Sequence, residues 1–396
     1  MSDADPRGLA AIRTLPAEPP VVGEPADAAP RSSSTGSRIG RPLDALIRGI
    51  GPVVLALLVS ALLLVALGRN PATFYTDIWS GGVGGTAWQD SATRMAPLLL
   101  IAAGLIIVFR ANIWNLGYDG QFLLAAAVVG GLGPPLAEVL PVWLMLVALF
   151  LAAGATGAAW TLLPAFLKAR YEVNEIVTTL MTSFLGISLA AILVKGPFQD
   201  PGTQVAQTRV VAINQMLPNI PGTTLNVSFV IALCIMVVVY YVMSRTSLGL
   251  RLYVLGASRR AAIHSGLHVN RIITGAFLAS GALIGFAAAA EVTGIWGYVR
   301  AEWNPNFGAA VIPLVFLARL NALAVIPFIA FYSVLSIGGD VATQHAQLPI
   351  DFLLVVVGLI LLFMALTEYL GNRRDLGGSY LTEGLANALK KGRTDA

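Results

Sequence analysis

The chain has 396 residues, of which 56% are hydrophobic and only 12% charged, with a formal net charge of +4 at pH 7. A soluble domain carries about 25% charged residues, so this composition cannot wrap a water-facing fold. A single cysteine, Cys234, excludes an internal disulfide and a cysteine metal cluster, and the basic residues are not interleaved with stacking aromatics as a nucleic-acid face requires.

Residues 1–44 are rich in Pro, Ala and Ser, lack an apolar face, and read as a disordered cytoplasmic tail. Arg38, Arg41 and Arg48 then precede the first apolar run, which predicts an uncleaved first helix with its N-terminus inside. About ten apolar stretches follow, most of them roughly 17 to 25 residues long, each able to cross a hydrocarbon core of ~30 Å as a helix. They fall at roughly 49–68, 93–109, 112–131, 141–166, 174–194, 226–244, 272–290, 308–320, 322–338 and 350–370. The eighth is short enough to be re-entrant with the ninth. Alternating strand patterns are absent, so the expected fold is all-α: a polytopic transmembrane bundle over 45–371, with a cytoplasmic tail at 372–396.

An even number of spans leaves only Arg69, Arg94, Lys195, Arg209 and Arg300 outside and keeps the C-terminal basic group inside, so both termini are expected in the cytoplasm. The glycines Gly81, Gly82, Gly84 and Gly85 read as a flexible external loop. Two long connections stand out. Residues 196–225, with four prolines, form an expected external docking surface; residues 245–271, with five arginines, form an internal loop.

Three polar openings lead into apolar spans. Asn112-Ile-Trp-Asn-Leu-Gly-Tyr-Asp-Gly-Gln121 would present Asn115, Asp119 and Gln121 to a polar solute, because polar groups at membrane depth are costly unless they face a cavity or a partner. Capping of the helix start by Asp119 is the alternative. In the second, Glu172 and Glu175 share a helix face near Lys168 and Arg170, while Asn174, Thr178 and Thr179 either line a path or pack. The third holds Trp296, Tyr298, Trp303 and Asn306, with Trp and Tyr read first as interface anchors. Asn115-Leu-Gly117 and Asn306-Phe-Gly308 open helices of opposite direction, as an inverted repeat would. Glu291, after an alanine run, faces either the solute path or external water, and Gly281-x-x-x-Gly285 marks close helix packing.

There is no phosphate loop, no Ser/His/Asp set and no paired acid-base carboxylates, so the chain reads as a non-enzyme without a cofactor. His264, His268 and His345 fall in predicted loops without an H-E-x-x-H motif.

The internal stretch Leu250-Arg-Leu-Tyr-Val-Leu-Gly-Ala-Ser-Arg-Arg-Ala-Ala-Ile-His-Ser-Gly-Leu-His-Val-Asn270 resembles the coupling loop of the permease family serving branched-chain amino acid, ribose-type sugar and nucleoside ABC importers. Arg251, Gly256, Ala261, Ala262, Gly266 and Val269 carry the likeness, and Arg259 and Arg260 open the short Ala-bearing helix that the resemblance seats in an ATPase. Asn115 to Gln121, Asn174 to Met181, and Asn306 to Ala310 followed by the polar turn Phe316 to Asn321 look most like the nucleoside branch. That branch commonly has Glu where this chain has Asp119. The resemblance implies two permease subunits, cytoplasmic ATPases and an external solute-binding lipoprotein in a bacterial inner membrane, with Trp114, Tyr118 and Phe122 available to stack on a flat base. A pentose or simple sugar is the alternative cargo. An ion-coupled secondary transporter, with Asp119 as its carboxylate, is the alternative class.

Overall fold

The computed structural model describes residues 54–349 and, beyond them, Phe352, 355–360, Leu362, Phe363 and Leu366. The two tails, residues 49–53 of the first predicted span and much of the last span lie outside the described residues. Among the described residues only isolated β-bridges occur, and everything else is helix or connection.

The helices are α1 (Val54–Ala66), α2 (Pro71–Gly82), α3 (Ala87–Arg110), α4 (Tyr118–Val139), α5 (Val142–Tyr171), α6 (Glu175–Lys195), α7 (Val227–Arg245), α8 (Ser247–Ala257), α9 (Arg259–His264), α10 (Val269–Glu291), α11 (Phe307–Leu317) and α12 (Val325–His345). Seven are long and apolar enough to cross a membrane: α3 to α7, α10 with its π-helical extension to Trp296, and α12. Each matches a predicted span. The predicted eighth span is the 11-residue α11, which ends because Arg319 and Leu320 adopt left-handed backbone and turn the chain into α12. Asn321 Oδ1 then accepts from the backbone N–H groups of Leu323 and Ala324, so the polar turn read in the sequence is built as a cap.

α3 occupies the centre of the bundle. Every residue from Met95 to Phe109 is buried, as expected of a helix that is apolar all round. α5, α6 and α7 instead present Leu151, Phe184 and Val238 outward, more than half exposed, which is a lipid-facing composition. α10 packs along α5 through the predicted G-x-x-x-G. A Cβ on Gly281 would collide with the Gly157 backbone and one on Gly285 with that of Ala153, so the two helices touch main chain to main chain. Cys234 lies exposed on α7.

Two expectations are corrected here. Gly81 and Gly82 are not loop: they end α2 and lie against α12, where a Cβ on Gly82 would sit 2.6 Å from the Val334 carbonyl oxygen. Helix–helix contact outweighs glycine's low helix propensity at this point. His264 and His345 close α9 and α12 rather than lying in loops, and His345 Nδ1 is 3.3 Å from Asp77.

The connection 196–226 is ordered by the segment that follows α10. Thr208 N–H donates to Val299 O (2.9 Å), Val211 N–H to Gly297 O (2.9 Å) and Leu217 N–H to Thr293 O (2.9 Å). Gln89 Oε1, at the start of α3, accepts from the Thr224 N–H at 2.6 Å, which fixes this connection to the end of the bundle where α3 begins. At the other end, α8 reaches the last turn of α3, because Gly256 lies directly against the Arg110 carbonyl.

Candidate functional site

The opening of α4 begins later than the apolar pattern predicts. Residues 113–117 are not helical, and α4 starts at Tyr118 rather than near 112. The reason is a set of side chains that replace helical hydrogen bonding. Asn115 Oδ1 accepts from the Gly117 N–H (3.1 Å) and from Gln121 Nε2 (2.9 Å), while Asn115 Nδ2 donates to Gln121 Oε1 (3.2 Å) and Ser280 Oγ (3.1 Å). Thr179 Oγ1 of α6 accepts from the Leu116 N–H, and Ser183 Oγ from the Gly120 N–H. Ser280 stands midway along α10, about 16 Å from its start. The non-helical segment therefore lies in the interior of the bundle, where buried polar groups must find partners.

Asn115 and Gln121 are fully buried and face each other, so their side chains close the segment rather than line an open surface. Asp119, in the first turn of α4, is half-buried, and no hydrogen bond or ion pair to its carboxylate occurs among the described residues. Beside it the Tyr118 ring lies flat against Gly308, where any Cβ would collide with it. The starts of α4 and α11 thus meet.

Two aromatic groups flank that meeting point. Trp114, Phe109 and Phe316 cluster with centroids 4.9 to 5.5 Å apart. Phe122 contacts Phe307 (5.7 Å) and Trp303 (5.9 Å), and Trp303 continues to Trp296 (6.0 Å). Trp303, half-buried, thereby joins Phe122 to Trp296, which is exposed as an interface anchor would be.

Of the two surroundings expected for Glu291, its full burial excludes external water. Oε1 pairs with Arg94 Nη1 at 3.0 Å and accepts from Trp296 Nε1 at 2.9 Å, while Oε2 has no partner among the described residues. Arg94 also stands 5.5 Å over the Phe307 ring. The desolvation cost of Glu291 is offset by the charge and hydrogen bond of Arg94 and by the second hydrogen bond from Trp296.

Asn174 is exposed and caps α6, its Oδ1 accepting from the Ile176 N–H at 2.9 Å. Glu175 pairs with Lys168 at 2.7 Å, as the sequence pattern allows, whereas Glu172 turns to Arg259 at 2.9 Å. Asn306 is exposed in left-handed backbone, with its own N–H bonded to Asn304 Oδ1. Neither Asn174 nor Asn306 is brought to Asp119 by a direct bond.

Arg251 lies on α8, and Ser258 Oγ accepts from the Ala261 N–H to cap α9. Ala262 is fully buried and seats α9, Arg259 is tied to Glu172, and Arg260, Ala261 and Ile263 face outward. Gly256 makes the close approach to α3, and Gly266 takes left-handed backbone (φ 76°) to turn the chain toward α10. A short, rigidly held helix with an exposed outer face projects from the bundle.

Residues 87–365 match the family described as the permease component of the branched-chain amino acid transport system. The chain belongs to that family. The permease is 29% identical over 332 residues to the glucose ABC transporter permease protein TsgB13 of Haloferax volcanii, covering 80% of this chain and 86% of the relative. It is 24% identical over 318 residues to the guanosine ABC transporter permease protein NupP of Bacillus subtilis, covering 79% and 91%. It is 22% identical over 325 residues to the nucleoside ABC transporter permease protein NupB of Lactococcus lactis, covering 79% and 88%. No solved structure matches the chain. The permease is therefore a multi-pass membrane protein and a transport subunit, as its motifs led us to expect.

Sequence reasoning named Thr179 as lining a path or packing but missed the other partners that build the permease's interior: Ser280 and Ser183, which with Thr179 hold the α4 opening, and Arg94, which holds Glu291. Arg94 did carry a signal. It is one of the few basic residues that the charge rule leaves outside, and it lies within an otherwise apolar helix.

Proposed function

We propose that this permease forms, with a second permease subunit, the channel of an ATP-driven importer for a small polar solute, most favourably a nucleoside, in a bacterial inner membrane. On this reading it has about ten spans, both termini lie in the cytoplasm, α8 and α9 face the cytoplasm, and residues 196–226 face outside, toward a solute-binding lipoprotein. Hydrolysis occurs on separate ATPase subunits that grip α9 through Arg260 and its neighbours.

One observation carries the solute path: Asp119 is a half-buried carboxylate, without a partner among the described residues, beside Tyr118, where two helices begin inside the bundle. A carboxylate near a helix N-terminus is favoured by the dipole and retains acceptor capacity for a solute hydroxyl or base N–H. Asn115 and Gln121 hold its loop, and Trp114, Tyr118 and Phe122 supply ring faces. The names of the guanosine and nucleoside relatives support the nucleoside. The glucose relative supports a sugar as the second reading, since ring faces and a carboxylate also suit pyranose hydroxyls.

Uptake by the assembled importer decides between them: competition of labelled guanosine uptake by unlabelled nucleosides, with no effect of glucose, is expected, and the reverse result selects the sugar. Asp119→Ala should cut uptake at least ~10-fold, the loss of about one charged hydrogen bond, while ATPase association is unchanged. Unaltered uptake removes Asp119 from the path. Arg260→Glu should release the ATPase subunits or uncouple their hydrolysis from uptake, and a complex that stays assembled and coupled contradicts the role given to α9.

A further inference from the structure

A cavity of about 570 Å³ opens between the end of α7, α8 and the first half of α10, away from Asp119. Its floor is apolar, with Ile107, Met243 and Ala276 buried beneath it and Leu252 closing one side. Its rim is basic. Arg251, His268 and Arg271 line one end, all exposed, and no carboxylate lines the cavity among the described residues.

The geometry is that of a groove along a membrane span. From His268 to Ala279 it follows α10 for about 16 Å, close to half of a ~30 Å hydrocarbon core. Midway, Gly275 is exposed, and a Cβ built there meets nothing within 4 Å, so the groove continues past it. Flanking Val238 and Tyr241 on α7 are exposed, a surface whose composition suits contact with lipid. An apolar channel one leaflet deep, with cations only at its mouth, matches an amphiphile whose tail lies along α10 and whose headgroup is anionic.

We infer that this groove holds one acyl chain of an anionic phospholipid, with the lipid phosphate held by Arg251 and Arg271. Arg251 lies on α8 and Arg271 in the first turn of α10, so an occupied groove ties α8 to α10. The inference uses α7 and α10 as spans and is independent of which solute is carried or which side α8 faces.

Native mass spectrometry of the purified full-length chain, with phosphatidylglycerol or phosphatidylcholine added, tests it. The wild type should retain one phosphatidylglycerol with a preference of about 30-fold, the factor that two interfacial arginines supply. Arg251→Gln with Arg271→Gln should erase the preference. Gly275→Leu leaves both charges and fits the open space, so the variant should fold with unchanged thermal unfolding yet lose the lipid. Excess inorganic phosphate should not displace the lipid, since the tail provides part of the affinity. Equal retention of the two lipids, displacement by phosphate, undiminished retention in Gly275→Leu, or loss of the lipid whenever ATPase subunits are bound would each overturn the proposal, the last by assigning the groove to a protein partner.

Discussion

Asn115-Leu-Gly117 and Asn306-Phe-Gly308 share a pattern, and each stands at the start of a helix, yet the two openings are held by different chemistry. At α4 the asparagine is buried and neutral groups do the holding: the Asn115 and Gln121 amides exchange hydrogen bonds and bind Ser280 and the Gly117 N–H. At α11 the asparagine is exposed and takes left-handed backbone, and the anchor is instead the next residue, Phe307, lying under Arg94, which Glu291 neutralises. The glycines also differ in what they admit: Gly117 lies near the Gln121 amide and the Thr179 carbonyl, Gly308 against the Tyr118 ring. A shared Asn-x-Gly spacing therefore marks where a helix is interrupted, while the partners from other helices determine whether the asparagine fastens that interruption or only turns the chain.

The charged anchor should be the more expensive to break. Glu291→Ala leaves the Arg94 guanidinium largely buried without its counter-charge, a loss of about 3–5 kcal/mol. Equilibrium unfolding in detergent should show it, and the double replacement Arg94→Met with Glu291→Met should recover most of it, because two apolar side chains leave no uncompensated charge. If Glu291→Ala costs no more than the amide variants below, the distinction between a charged and a neutral anchor fails.

The amide clasp comes next. Asn115→Ala deprives the Gly117 N–H, the Gln121 amide and Ser280 of a partner in a site without solvent, and a buried group left unsatisfied costs about 1–3 kcal/mol. Ser280→Ala alone removes one bond at the edge of the network and should cost about 1 kcal/mol or less. Equal effects from Asn115→Ala and Ser280→Ala in the same unfolding assay would show that the Asn115–Gln121 exchange is not the centre of the clasp.

How far this was legible in the sequence follows the same division. Spans such as 141–166 and 226–244 announced themselves because a long apolar helix is a local property of the chain. The turn at Asn321 was legible too, since it satisfies backbone groups two and three residues away, whereas Asn174, read as lining a path or packing, caps α6 through a bond just as local. The start of α4 was misplaced because its backbone is satisfied by Thr179 and Ser183, more than sixty positions distant. The pairing of Glu291 was not legible because the cation that holds it lies 197 residues earlier. Gly81 and Gly82 read as loop because their helical state depends on α12. Long apolar spans and the Asn321 turn were readable from the local chain; the candidate path is built mostly from partners that are distant in sequence.

The smallest expected effect lies at Asn306, and it tests the comparison from the other side. Its backbone φ is 52°, a conformation that an ordinary L-residue adopts at a cost of about 1–2 kcal/mol and that asparagine tolerates better. Its exposed side chain supplies no cap to α11, so truncation removes no buried bond. Asn306→Ala should therefore destabilise by about 1 kcal/mol through the backbone alone. Asn306→Gly should be close to neutral, since the relief of left-handed strain is offset by the greater freedom of glycine in the unfolded chain, about 0.5–1 kcal/mol. The order Ala below Gly, with Gly near wild type, identifies a turn; a loss of about 2 kcal/mol or more in both variants would mean that the Asn306 side chain fastens its helix as Asn115 does, and the two openings would then be equivalent after all.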